Sequence, residues 1–337
     1  MKLVSVAGAI AGLAVIGALV AYLGADAVIR SLSAIAWGGF SAVCLIHVVV
    51  IAAMGIAWRA LVPDAPAWAF VWGRFVRDAG SDVLPFSPMA GCVLGARAVA
   101  LTGVPGSVAA ASTIADLTLE FFAKLVYTGL GLVLLVQLRP GLPDALPITV
   151  GLAVTSLVAV ALTVAQRHGL GLFERFARHI GRGWADRTAA GASAVHAVLV
   201  STYSRKAGVW GGFLLHLACW IASALEVWCA LSLAGMPLDF RAVLVIESLL
   251  YAIRTLAFAI PNAVGVQEGA YILLGATFGL TPEMALAISL LKRMRDLVIG
   301  LPVLAIWQVV EGDRLWRRFA PGRTTARPVG TAGEDDA

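Results

Sequence analysis

The chain has 337 residues, of which 60% are hydrophobic and only 13% are charged. An average soluble domain carries about 25% charged residues, so this composition excludes an ordinary soluble enzyme or binding domain. The formal net charge is +5. Because the basic segments flank apolar runs, the positive charge indicates cytoplasmic loops of a membrane protein rather than a nucleic-acid-binding surface.

The apolar residues occur in runs that match the thickness of a bilayer. A membrane-spanning helix needs about 20 predominantly apolar residues. Four runs reach about that length, at residues 4–24, 38–62, 147–165 and 207–233. Two further crossings are predicted at residues 108–136 and 282–310. The sequence therefore predicts an all-α polytopic membrane protein with about six full transmembrane helices.

The distribution of Lys and Arg predicts the topology. The first loop, residues 25–37, carries only Arg30, whereas basic residues cluster after the second run, in residues 166–206 and after residue 310. Positive loops mark the cytoplasmic side. We therefore expect cytoplasmic N- and C-termini, a basic amphipathic cytoplasmic loop at residues 166–206, and a flexible cytoplasmic tail at residues 312–337.

Two proline-containing segments cannot be simple crossings in this topology. Residues 68–101 and 242–279 each lie between segments on the same side of the membrane, so each must return where it entered. Pro85 and Pro261 interrupt their helices, because proline removes a backbone donor and crowds the preceding turn. Gly265 permits the backbone to turn back. Both segments are predicted to be re-entrant, broken-helix hairpins that enter from opposite sides.

The two hairpins align in sequence, without gaps, when one is shifted onto the other. The shift that places Pro85 on Pro261 also places Gly103 on Gly279 and Glu120 on Asp296. We interpret residues 1–311 as one transmembrane domain built from an inverted repeat, with halves at about 1–140 and 141–311. Transporters with inverted repeats place their substrate site at the repeat interface.

Charged residues within the apolar segments are the candidates for that site, because a charge at the helix centre costs about 2.5–3.5 kcal/mol on insertion scales. We predict a headgroup cavity drawn from Arg77, Arg97, Asp116, Glu120, Arg254, Asn262, Glu268, Lys292, Arg293 and Asp296. Asp116 and Lys292 occupy equivalent positions with opposite charge, which suggests an ion pair between the halves. These residues either hold the bundle together or line a polar path, and Glu268 either caps a helix or contacts substrate.

Motifs of known catalytic chemistry are missing from the sequence. It contains no G-x-S-x-G, P-loop or HExxH pattern, and its five histidines are scattered. We therefore predict no catalytic residue, no metal site and no cofactor.

Several stretches resemble the lysylphosphatidylglycerol synthase transmembrane-region family, also called flippase-like. The resemblance lies in residues 70–77, Leu84-Pro85, residues 95–97, 109–112 and 116–120, and then in Pro261, Glu268-Gly269 and residues 290–293. Within the family, the hopanoid-biosynthesis-associated branch is the most similar. The chain departs from the pattern at Ser81 and Asp82, where relatives carry paired asparagines, and at residues 90–92, where they carry two glycines and an acidic residue.

The resemblance implies a bacterial inner-membrane protein that moves a polar-headed lipid, such as an extended hopanoid, across or out of the membrane. Its expected partners are membrane lipids and the enzymes of lipid biosynthesis. The family's aminoacyl-transfer domain is not present, so we do not expect an enzyme. Two alternatives stay open: a membrane-embedded lipid-modifying enzyme or subunit that uses Asp116, Glu120 and Glu268 as acids or bases, and a scaffold for lipid-biosynthesis enzymes that uses residues 166–206.

Overall fold

The structure is a computed structural model, and it describes residues 17, 20–23, 25–83, 87–140, 182–257 and 260–319. This part of the chain is entirely helical and contains no strand. Pro85, the predicted crossing at residues 147–165 and most of the run at residues 4–24 lie outside the described residues.

Nine α-helices make up the described chain. They are α1 (Ala25–Arg59), α2 (Ala67–Val83), α3 (Ser87–Leu101), α4 (Gly106–Leu138), α5 (Arg182–Ser204), α6 (Lys206–Leu233), α7 (Phe240–Leu256), α8 (Val266–Ala276) and α9 (Pro282–Phe319). A short 3-10 turn, Pro261–Ala263, separates α7 from α8.

Three of these helices, α1, α4 and α6, are long and apolar enough to cross a membrane. Their outer faces carry large apolar side chains that are exposed, including Leu45, Val133, Trp210 and Leu214. Soluble monomers rarely expose apolar surface on this scale, whereas lipid tails cover it at no cost. The all-α polytopic membrane fold predicted from the sequence is therefore confirmed.

The first predicted loop, at residues 25–37, is wrong. Residues 25–35 are helical and belong to α1, which is interrupted only at Ala36, where φ is 56°. The loop was inferred from the gap between two apolar runs, but the segment contains neither proline nor glycine to end a helix. At the other end of the chain, α9 continues to Phe319, past the predicted start of the tail.

Glycine residues allow α2 and α3 to pack side by side as an antiparallel hairpin. A Cβ atom added to Gly91 would lie 2.3 Å from the carbonyl oxygen of Arg77, and one added to Gly95 would lie 2.9 Å from that of Gly73. Only glycine permits backbones to approach this closely. The contacts fix α2 against α3 along most of their length.

The second hairpin is broken by backbone conformation as well as by Pro261. Asn262 and Ala263 have φ values of 48° and 46°, and Gly265 has a φ of 83°. These left-handed conformations come after the end of α7 at Leu256 and turn the chain into α8. The long helix α9 follows after the turn at Gly279, which also has a positive φ.

The same order of elements occurs twice: a long helix, a two-helix hairpin and a second long helix. We call α1–α4 the first half and α6–α9 the second half. Helix α4 begins at Gly106 and α9 begins at Pro282. These two positions coincide under the shift that places Pro85 on Pro261, so the repeat seen in the sequence is also a repeat of structure. The orientation of the halves in the membrane stays a prediction.

Packing between the halves is reciprocal. The equivalent helices α1 and α6 are antiparallel neighbours: Gly39 lies near Leu233, and Gly208 lies near Ala60 at the opposite end. Helix α4 packs on α6 and α7, and α9 packs on α1 and α2. Equivalent helices of an inverted repeat run in opposite directions, as α1 and α6 do.

Candidate functional site

A cavity of about 370 Å³ lies between the two halves. Its walls come from α1, α2, α3, α4, α6, α7, α9 and the broken segment before α8. Ten charged residues line it: Arg74, Arg77, Asp78, Asp82, Glu120, Lys124, Glu226, Arg254, Arg295 and Asp296. A second cavity, of about 690 Å³, lies beside the α1–α2 and α3–α4 turns, but it is lined mainly by apolar residues. The interface cavity is therefore the candidate site.

Two arginines of α2 hold two carboxylates of α4 beside this cavity. Arg77 lies 2.6 Å from Asp116 and also binds Glu120. Arg74 lies 2.8 Å from Glu120 and 2.9 Å from Asp78. All of these groups except Asp78 are buried. Because an unpaired buried charge is strongly unfavourable, the cluster links the first hairpin to α4.

Helical spacing explains why α4 presents these groups together. Asp116, Glu120 and Lys124 recur every four residues, which places them on one face of the helix. Lys124 lies 3.0 Å from Glu120 and extends over the ring of Trp220 at 4.6 Å from its centroid. Lys124 is the most accessible of the three and reaches towards α6.

A histidine of the second half contacts this cluster. His216, on α6, lies with its Nε2 atom 2.7 Å from the carboxylate of Asp116. Both side chains are fully buried, and among the described residues the Nδ1 atom of His216 has no hydrogen-bond partner. Asp116 is thus held from both halves, by Arg77 and by His216.

The second half has its own ion pairs, and they lie on its own helices. Lys292 of α9 lies 2.7 Å from Glu247 of α7, which also accepts a hydrogen bond from the hydroxyl of Tyr271. Arg295 of α9 binds Glu226 of α6 and lies 2.6 Å from Asp296.

The first half reaches the Glu226 group through His47. The Nδ1 atom of His47, on α1, lies 2.9 Å from a carboxylate oxygen of Glu226. Its Nε2 atom lies 4.0 Å from Asp296 of α9. Each of the two antiparallel helices, α1 and α6, therefore contributes one histidine to a carboxylate of the other half.

Glu268 caps the start of α8. Its carboxylate accepts a hydrogen bond from the backbone N–H of Gly265 at 2.7 Å, and the positive end of the helix dipole favours it there. The same carboxylate accepts hydrogen bonds from Ser289 at 2.9 Å and Arg293 at 2.6 Å. Glu268 is fully buried by these partners. Of its two predicted roles, capping is the one that these contacts describe.

Asn262 joins the broken ends of the two hairpins. Its amide nitrogen donates to the backbone carbonyl of Asp82 at 2.9 Å, and its amide oxygen accepts from Arg254 at 2.9 Å. Asn tolerates the left-handed conformation of this position better than most residues. The contact brings the end of α2 and the end of α7 to one wall of the cavity.

The cavity collects half of the predicted site residues. Arg77, Glu120, Arg254, Asn262 and Asp296 line it. Arg97 instead lies at the surface, 2.9 Å from Glu311, with 46% of its side chain exposed. The remaining four residues do not line the cavity and pair with the partners described above: Asp116, Glu268, Lys292 and Arg293.

The predicted ion pair between Asp116 and Lys292 is wrong. It assumed that α4 and α9 meet between the halves, but α1 and α6 meet there instead. Asp116 pairs with Arg77 and His216, and Lys292 pairs with Glu247.

Several residues of the site were not among the candidates. They are Arg74, Asp78, Asp82, Lys124, Glu226, Arg295 and the two histidines, His47 and His216. The histidines each stand inside an apolar run of membrane-spanning length. An ionisable residue in such a run is a functional or pairing residue in its own right, and that signal could have selected both.

Comparison with protein families gives one match, and it covers most of the chain. Residues 9–303 match the family described as lysylphosphatidylglycerol synthase TM region. No curated protein and no solved structure matches the chain. The matched range includes both hairpins, the charged cavity and both antiparallel helices. The chain therefore belongs to the lysylphosphatidylglycerol synthase transmembrane-region family and is a multi-pass membrane protein involved in lipid handling.

Proposed function

We propose that the protein is a flippase-like transporter that moves a polar-headed lipid between membrane leaflets, in the inner membrane of a bacterium and with both termini in the cytoplasm. An extended hopanoid is one candidate substrate. The observation that carries the proposal is the charged cavity between the two halves, which lies inside an apolar bundle. A polar headgroup needs such an environment to cross a bilayer, because hydrocarbon offers no hydrogen bonds.

The reciprocal packing of the halves also supports transport. Inverted-repeat transporters alternate access by moving one repeat against the other around a central site. Here the ion pairs between Arg77 and Asp116 and between Lys292 and Glu247 lie within single halves. Two of the buried contacts across the halves use the histidines His216 and His47, and Asn262 adds an amide contact. The ion pair between Arg97 and Glu311 also joins the halves, but it lies at the surface.

The enzymatic alternative has weaker support. A general acid or base must reach the group that it protonates or deprotonates. Asp116 and Glu268 are fully buried and occupied by basic partners, and neither lines the cavity. Glu120 lines it but binds Arg74, Arg77 and Lys124. A carboxylate with three cationic partners is a poor proton acceptor.

Leaflet exchange in reconstituted vesicles tests the proposal. Purified protein should move a fluorescent lipid out of the protected inner leaflet faster than the lipid leaves it in protein-free vesicles. Glu120→Gln should slow exchange, since it disrupts the charged wall of the cavity, whereas Arg97→Gln at the surface should not. Equal rates with and without protein, for lipids extracted from the native membrane, would overturn the proposal. A new lipid product in the same vesicles would favour the enzyme.

A further inference from the structure

Two charged groups in the cavity stand outside its ion-pair networks. Among the described residues, the carboxylate of Asp82 forms no ion pair or hydrogen bond, and the guanidinium of Arg254 has no carboxylate partner. The other eight charged residues that line the cavity each pair with an opposite charge. Within the part of the chain that the structure describes, the cavity therefore presents one carboxyl group and one guanidinium group that have no ion-pair partner.

These two groups lie in one cavity without an ion pair between them. Arg254 uses one of its donors on the side-chain oxygen of Asn262, and Asn262 is anchored by the backbone carbonyl of Asp82. With respect to the described residues, the remaining guanidinium donors of Arg254 stay available, and so do both carboxylate oxygens of Asp82. Because its bond to Asn262 fixes Arg254 before binding, this guanidinium loses less entropy when a ligand arrives.

The proposed transport function places a lipid headgroup in this cavity, and the following inference rests on it. We infer that the headgroup is zwitterionic, with an ammonium group for Asp82 and a phosphate or carboxylate group for Arg254. Guanidinium binds these anions through two parallel hydrogen bonds. A neutral polyol would leave both protein charges unpaired, and a purely anionic headgroup would face the carboxylate of Asp82. The cavity volume of about 370 Å³ is within the range of small-molecule sites.

Headgroup selectivity in reconstituted vesicles tests the inference. The probes share labelled acyl chains and differ in headgroup: phosphatidylethanolamine is zwitterionic, phosphatidylglycerol is anionic, and a diacyl trimethylammonium-propane is cationic. We expect wild-type protein to move the zwitterionic probe about 10-fold faster than either of the others, which corresponds to about 1.4 kcal/mol of discrimination.

Two variants should change this preference in opposite directions. Asp82→Asn removes the group for ammonium, so the rate for the anionic probe should rise relative to the rate for the zwitterionic one. Arg254→Gln removes the group for phosphate but keeps a donor for Asn262, so the rate for the cationic probe should rise relative to the rate for the zwitterionic one. A merely structural role would slow all three probes alike. Arg97→Gln is the matched control, because its charge lies outside the cavity, and it should keep the wild-type order.

The outcomes separate the inference from the proposed function. Movement of all three probes at equal rates, or variants that slow them equally, would overturn the zwitterionic site and leave transport standing. Calorimetric titration with soluble phosphoethanolamine covers the case in which no probe moves. Binding that both cavity variants abolish would then support zwitterion recognition from a soluble source and overturn lipid transport. Neither movement nor binding would overturn both.

Discussion

The first and second halves share a backbone plan but carry opposite charges at two equivalent positions. Asp116 of α4 corresponds to Lys292 of α9, and Asp78 of α2 corresponds to Arg254 of α7. Each long helix nevertheless uses its charge in the same way. Asp116 pairs with the first helix of its own hairpin through Arg77, and Lys292 does so through Glu247. The fold places a charged residue at this position of the long helix in both halves. Its sign is opposite to that of its partner on the hairpin.

The halves also differ in how firmly their hairpins are packed. In the first half, added Cβ atoms at Gly73, Gly91 and Gly95 would all approach backbone oxygens or side chains more closely than real contacts allow. In the second half, a Cβ atom on Gly269 would meet nothing within 4 Å. The glycines of the first hairpin are therefore closely packed, whereas Gly269 in the second hairpin has open space beside it.

Removal of Arg77, the cation that Asp116 and Glu120 share, should have the largest effect on the free energy of unfolding. Arg77→Met leaves Asp116 and Glu120 buried with fewer donors, so the free energy of unfolding should fall by about 3–5 kcal/mol. Titration with a denaturing detergent measures it. Arg97→Met removes an exposed pair and should cost less than about 1 kcal/mol. Equal losses for the two variants would contradict a structural role for the buried cluster.

Stability lost by breaking the ion pair between Lys292 and Glu247 in the second half should be recoverable by a second substitution. Lys292→Met strands Glu247 and should cost about 3 kcal/mol. Adding Glu247→Gln removes the stranded charge and keeps an acceptor for Tyr271, so the double variant should recover most of the loss in the same titration. The stability of Glu247→Gln alone completes the double-mutant cycle. A double variant as unstable as Lys292→Met would show that the pair is not an isolated unit.

Packing of the hairpins should respond with opposite signs to the same substitution. Gly91→Ala forces a methyl group against the carbonyl oxygen of Arg77 and should cost about 1–3 kcal/mol. Gly269→Ala meets open space within a helix and should stabilise the protein by up to about 1 kcal/mol. Thermal unfolding in detergent micelles compares the two. Destabilisation of similar size at both sites would remove the difference in packing between the hairpins.

Much of the fold could be predicted because it depends on local signals. Run length predicted the crossings that became α4 and α6, and proline and glycine placed the break before α8. The register of the repeat came from matching landmarks along the chain, such as Gly103 and Gly279. The first loop was mispredicted. A low number of basic residues indicates on which side of the membrane a segment lies, but it does not show that the helix is interrupted there.

The partners of the charged residues could not be predicted, since pairing depends on which helices meet. The alignment of the hairpins identified Asp116 and Lys292 as equivalent, but equivalence under a two-fold axis does not imply contact. Only the packing of α6 against α4 puts His216 beside Asp116, and only its packing against α1 puts His47 beside Glu226. Asp82 was not among the candidates for the site, yet it lines the cavity.

The contacts of α6 determine whether one half could stand in for the other. A dimer of two first halves would put Phe40 where His216 faces Asp116, and Val50 where Glu226 binds Arg295. The buried carboxylate of Asp116 would then face a phenyl ring instead of an imidazole. The two halves are therefore complementary pieces, and neither can substitute for the other. Because both lie in one polypeptide, each half meets the other in equal number.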